Sequence, residues 1–134
     1  MKSVFYFMVF LGFVCLGCNA FAKMTDAERL GIMAGSAVAC GATKKLDDFE
    51  LIASRILANQ SATDEIENAN VRRYMETKYR VMNMQKMDME TCGEVLRQFN
   101  ALPIFQSVVY ADGSVKLPDG KWSKPLRKVK HKKK

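Results

Sequence analysis

Histidine is almost missing from this chain. Of 134 residues one is a histidine, His131, and it stands among lysines near the C-terminal end. A body without histidine cannot assemble a Ser/His or Cys/His nucleophile. No glycine-rich phosphate loop, zinc-ligand spacing or EF-hand pattern occurs either. Sites made of carboxylates alone, or of Tyr and Arg, are the enzymatic designs that remain open. The expectation is a protein that is not an enzyme and uses no cofactor.

Cysteine is scarce as well, with four in the chain, and two of these, Cys15 and Cys18, lie in an unusual N-terminal stretch. "MKSVFYFMVFLGFVCLGCNAFAK" has an early cation, Lys2, an apolar run from Val4 to Leu16, and then small residues ending in Ala20-Phe21-Ala22. That is the order of a secretory signal peptide, which predicts cleavage before Lys23 and export to a periplasmic or extracellular space. Two alternatives keep the export and change the anchorage. The weakly polar stretch 4–22 is nineteen residues long, enough to cross a bilayer if left uncleaved. Cys18 in "CLGC" could instead carry a lipid, although Cys15 stands where a lipobox prefers an aliphatic residue.

Cleavage leaves 112 residues, which suffice for one domain with a modest core. It also leaves two cysteines, Cys40 and Cys92, and in an oxidising compartment these most simply form one disulfide. Closing that loop is worth about 4 kcal/mol on the chain-entropy model. Their spacing is not the C-x-x-C of a reactive dithiol.

The formal net charge of +7 is unevenly spread. Residues 23–115 hold eleven Lys/Arg and thirteen Asp/Glu, a net of −2, while residues 116–134 hold nine Lys/Arg and one Asp, a net of +8. The chain reads as a nearly neutral domain with a basic appendage.

Periodicity in the body is helical throughout. Thr25 and Glu28 form a capping box before "DAERLGIMAGSAVACG", and Gly41 suits the stop. Ala27, Gly31, Gly35 and Ala39 then recur every four residues. Such a strip lets another backbone approach closely, and it suits packing against a helix of the same domain. The apolar run from Leu30 to Ala42 is too short to span a bilayer.

A second helix is expected with Asp47 as N-cap, Glu50 completing the box, and Leu46 and Leu51 as a hydrophobic staple. Phe49, Ile52, Ala53, Ile56 and Leu57 make its apolar face. Asn59-Gln60-Ser61 is a formal N-glycosylation sequon. The third helix is expected from Thr63, buried along Val71, Met75, Tyr79 and Met82, with Lys78 off that stripe. Asp88 caps a fourth, in which Cys92, Val95, Leu96 and Phe99 share a face and which Pro103 ends.

The stretch "MNMQKMDM" concentrates Met82, Met84, Met87 and Met89. On a continuous helix Met82 and Met89 fall nearly on one side, with Met84 and Met87 roughly opposite, which suits a helix buried on two sides. Flexible packing is the ordinary use of methionine, so these residues are expected in the core. The pattern M-x-M-x-x-M-x-M also resembles the methionine motifs of exported copper-handling proteins. That resemblance implies thioether ligation of a soft ion such as Cu(I), should a break near Asp88 gather the sulfurs.

Beyond Pro103 the texture changes. Val108-Val109-Tyr110, Asp112-Gly113 and Val115-Lys116-Leu117 predict one β-hairpin over 104–120. Residues 121–134 read as a solvated, disordered basic tail. Trp122 suits either a membrane interface or the edge of the core. The fold expected is therefore mainly α, a small four-helix, disulfide-tied bundle over 23–103 with a C-terminal hairpin and a basic tail.

The unequal charge points to an exported binding or assembly protein of the cell envelope. In it the helices form a platform and Lys121, Lys124, Arg127, Lys128, Lys130, Lys132, Lys133 and Lys134 a cationic tether. An anionic membrane surface, an acidic envelope polymer or an acidic protein would be the partner. Nucleic acid is not expected outside the cytosol. In outline the chain is also similar to the periplasmic acid-stress chaperones of enteric bacteria, a likeness of architecture without a shared motif. Nothing in the sequence sets an oligomeric state.

Overall fold

Residues 24–84 and 88–127 are described by a computed structural model of the chain. The first helix, α1, runs Asp26–Ala39 and begins as its sequence dictates. The Thr25 hydroxyl accepts from the Glu28 amide at 3.3 Å, and Glu28 Oε2 accepts from the Thr25 amide at 2.8 Å. At the far end Gly41, at φ +84°, donates to Val38 O, and Ala42 donates to Ala37 O, both at 2.9 Å. These two bonds satisfy carbonyls that the helix end would leave open, and they turn the chain back at once.

The second helix, α2 (Lys44–Asn59), therefore starts three residues before the acidic cluster that was expected to cap it. Thr43 is the N-cap and makes no side-chain cap bond. Asp47 sits within the first turn, and Leu51 is exposed rather than stapled to Leu46. The reversal at Gly41, not the side-chain chemistry of Asp47, sets where this helix begins. Its apolar face is as read, with Phe49, Ile52, Ala53 and Leu57 buried.

The third helix, α3 (Asp64–Met84), lies along the glycine strip of α1. A Cβ on Gly31 would stand 2.7 Å from Tyr74 O, and one on Gly35 would stand 2.5 Å from Lys78 O. The two backbones are thus nearly in contact. This contact corrects the expected face of α3, because Val71 and Tyr79 are exposed while Tyr74, Thr77 and Lys78 are buried. A partner surface without side chains has no hollow for large ones. The polar residues buried beside it must find partners for their polar atoms. Lys78 does so by pairing its ammonium with Glu50 of α2, whose Oε1 also accepts from the Tyr74 hydroxyl at 3.0 Å.

The fourth helix, α4 (Met89–Asn100), is capped by Asp88, whose carboxylate accepts from the Thr91 amide at 2.7 Å. A disulfide joins Cys92 to Cys40 at the end of α1, with Cα atoms 5.0 Å apart and a sequence separation of 52. Phe99 closes the core against Phe49, at 5.3 Å between ring centroids, and against Phe105, edge-on at 5.4 Å. Phe105 belongs to a 3-10 turn, Pro103–Gln106. Among the described residues no helix is long and apolar enough to cross a membrane; the stretch 1–22 lies outside them.

The C-terminal part is an antiparallel sheet of three short strands, β1 (Val108–Val109), β2 (Val115–Lys116) and β3 (Trp122–Ser123), in that order. The expected hairpin is present, and β3 adds a strand that the charge run had assigned to the tail. Val115 is fully buried against the helices. Asn59, the last residue of α2, ties the sheet down. Its side-chain amide donates to Gly113 O and Ser123 O, each at 3.0 Å, and Leu126 N donates back to Asn59 O.

Candidate binding face

Two turns of one design build this sheet. In each, an Asp carboxylate accepts from the amide two residues on, Ser114 for Asp112 and Lys121 for Asp119, both at 2.9 Å. The glycine that follows each Asp takes positive φ, +87° at Gly113 and +84° at Gly120, a conformation open to glycine at little cost. The Ser114 hydroxyl, together with its amide, holds the Asp112 carboxyl below the usual carboxylate range, and the Lys124 charge adds to this. "YADGS" and "LPDGK" stand seven residues apart. That repeat was the signal for β3, and the basic residues around it masked it.

Strand register sorts the side chains into two faces. Lys116 pairs with Val108 on one side and Trp122 on the other, while Val115 pairs with Val109 and Ser123. Side chains alternate along a strand, so with Val115 buried, Val108, Lys116 and Trp122 form a row on the outer face. Tyr110 joins them, its ring centroid 5.1 Å from that of Trp122. Val108 is 50%, Tyr110 42% and Trp122 46% exposed. The ammonium groups of Lys116 and Lys124 lie 5.8 and 5.9 Å from the Trp122 ring centre, within cation–π range. Lys121, at the turn, is exposed, with its ammonium 3.8 Å from Asp119. The result is a sheet face on which Val108, Tyr110 and Trp122 stand exposed around Lys116, with Lys124 beside the indole.

The residues expected to form a tether thus separate into three groups. Lys121 and Lys124 belong to the sheet region, Lys124 beside the Trp122 ring and Lys121 at the turn with Asp119. Arg127 is turned inward instead, its guanidinium bound to both Asp64 and Glu67 in the first turn of α3. Those carboxylates neutralise it, which removes it from the set of cations free for a partner. Lys128, Lys130, Lys132, Lys133 and Lys134 lie outside the described residues.

The methionines are not the core that periodicity suggested. Met82 is half-buried on α3, but Met84 is 75% and Met89 93% exposed; Met87 lies outside the described residues. Asp88, the N-cap of α4, has extended backbone, so the continuous helix assumed by the two-sided burial argument is interrupted there. Among the described residues no group of three His, Cys, Asp or Glu side chains could hold a metal ion.

The buried cluster of Tyr74, Glu50 and Lys78 is the other concentration of polar groups. Burial, followed by the nearby Glu50 charge, pushes the Tyr74 hydroxyl far above its ordinary value, so it acts as a donor only. All three side chains are spent on one another, which accounts for them as a clasp between α2 and α3. Comparison with protein-family models, with curated proteins and with solved structures finds no match in any of the three.

Proposed function

We propose that this is an exported, non-enzymatic binding protein of the cell envelope, held to an anionic surface by its C-terminal segment. The observation behind the reading is the placement of charge. Five lysines stand among residues 128–134, directly after a sheet whose outer face carries Lys116 and Lys124 beside Trp122. Each such cation near an anionic membrane contributes about 1 kcal/mol. An acidic envelope polymer or an acidic protein would be attracted by the same field. The disulfide between Cys40 and Cys92 supports the exported setting, because such bonds persist in oxidising compartments.

The test is sedimentation of the protein with anionic vesicles over a range of salt, with and without residues 128–134. The truncation starts after Arg127, because β3 and the Arg127 pairs belong to the folded part. Binding should weaken as salt rises and be mostly lost on truncation. Binding indifferent to both would refute the tether. A second reading rests on the exposed thioethers of Met84 and Met89, which packing does not explain: uptake of Cu(I). Replacing Met84, Met87 and Met89 by Leu would abolish such uptake with the fold intact; uptake that persists would rule it out.

A further inference from the structure

The geometry points to the outer face of the sheet as a lipid-interface element, in which Val108, Tyr110 and Trp122 enter the headgroup layer of an anionic bilayer while Lys116 and Lys124 meet its phosphates. This rests on the reading of an anionic partner and says which kind of partner and which atoms. Three observations favour a bilayer over an acidic polymer or protein. Val108 on β1 and Trp122 on β3 flank Lys116 of β2 in direct register, at strand spacings of about 4.8 Å, so apolar groups and a cation share one face, as a layer of headgroups over acyl chains requires. Both aromatic residues have a polar tip on an apolar body, the type that settles at membrane–water interfaces. The cations lie beside the rings, within 6 Å of Trp122. From there they can reach the headgroups without being dragged deeper.

Trp122 is the sole tryptophan of the chain, so fluorescence reports on this face alone. The experiment adds full-length protein to vesicles of phosphatidylcholine with about one third phosphatidylglycerol. The acyl chains are plain or brominated, and soluble polyglutamate serves as a polymer control. The expected result is a blue shift of the emission with anionic vesicles and quenching by brominated chains. Val108→Gln and Tyr110→Gln, which leave the charge unchanged, should each weaken vesicle binding, by up to about tenfold. Circular dichroism and an intact disulfide verify that each variant is folded.

Vesicle binding with unshifted emission, or unaffected by both glutamine variants, would overturn the interface element and leave the electrostatic tether standing. An emission change with polyglutamate but not with vesicles would overturn it in favour of an acidic polymer. Binding to neither probe would overturn both readings.

Discussion

The side-chain amide of Asn59 and the carbonyl of Ser123, 64 residues apart in sequence, share a hydrogen bond of 3.0 Å. The same amide holds Gly113 O, so one side chain at the end of α2 fixes two of the three strands' surroundings. Asn59 is also the acceptor of the single N-glycosylation sequon in the sequence, and it is 4% exposed.

Asn59→Asp should therefore be costly. It places a carboxylate against two carbonyl oxygens and should destabilise the fold by about 3 kcal/mol, seen as a lower urea midpoint with little change in slope. In a glycosylating secretory host, folded protein with its disulfide closed should show Asn59 unmodified by peptide mapping. A glycan on folded material would contradict the buried position.

Glycine substitutions should split by location. Gly35→Ala drives a methyl group onto Lys78 O and the Val81 side chain. Overpacking there should outweigh the helix-propensity gain of about 1 kcal/mol, for a net loss of about 2 kcal/mol. Gly93→Ala, on the exposed side of α4, meets nothing within 4 Å and should instead gain roughly 0.5–1 kcal/mol. Thermal melts of the two variants should move in opposite directions.

The Cys40–Cys92 bond closes 52 residues of sequence separation. Replacing both cysteines by serine should cost about 3–4 kcal/mol and lower the melting midpoint by roughly 10–20 °C. Calorimetry with and without reductant on the parent protein should give the same difference. Equal melting points would show that the helix contacts alone hold the ends together.

Acid should loosen the helix caps. Bonds from the Thr25 backbone and hydroxyl hold Glu28 below its ordinary 4.5, and the Thr91 amide holds Asp88 below 3.8. Arg97 lowers Glu94 in the same direction. A depressed carboxyl contributes stability that is complete above its unfolded value and disappears as pH falls through its folded one. Stability should stay flat near neutrality and decline below about pH 4.5. Asp88→Asn keeps a capping acceptor without the titration, so its decline should be shallower. An unchanged slope would remove Asp88 from the account.

The helices were legible because their signals are local. Thr25 with Glu28, Gly41, and Asp88 before Met89 each act over three or four residues, and all stand where the sequence puts them. The face of α3 was not legible, because it depends on Gly31 and Gly35, more than forty residues earlier. Hydrophobicity alone chose Tyr79 over Lys78, while the close backbone approach chose the reverse. The aromatic row escaped for a related reason. Val108, Tyr110, Lys116 and Trp122 become neighbours only through pairing of three strands, and the lysines around β3 read as solvated tail. Arg127 looked like one more cation of the run until Asp64 and Glu67 closed on it.

That closure gives the last seven residues a fixed origin. A chain of seven residues reaches at most about 25 Å when fully drawn out. The backbone of residues 128–134 therefore stays within about that distance of Arg127, and each lysine ammonium reaches further by the length of its side chain. If residues 128–134 are the tether proposed above, Arg127 would be its pivot, and Arg127→Ser should extend its reach without changing a single lysine beyond it.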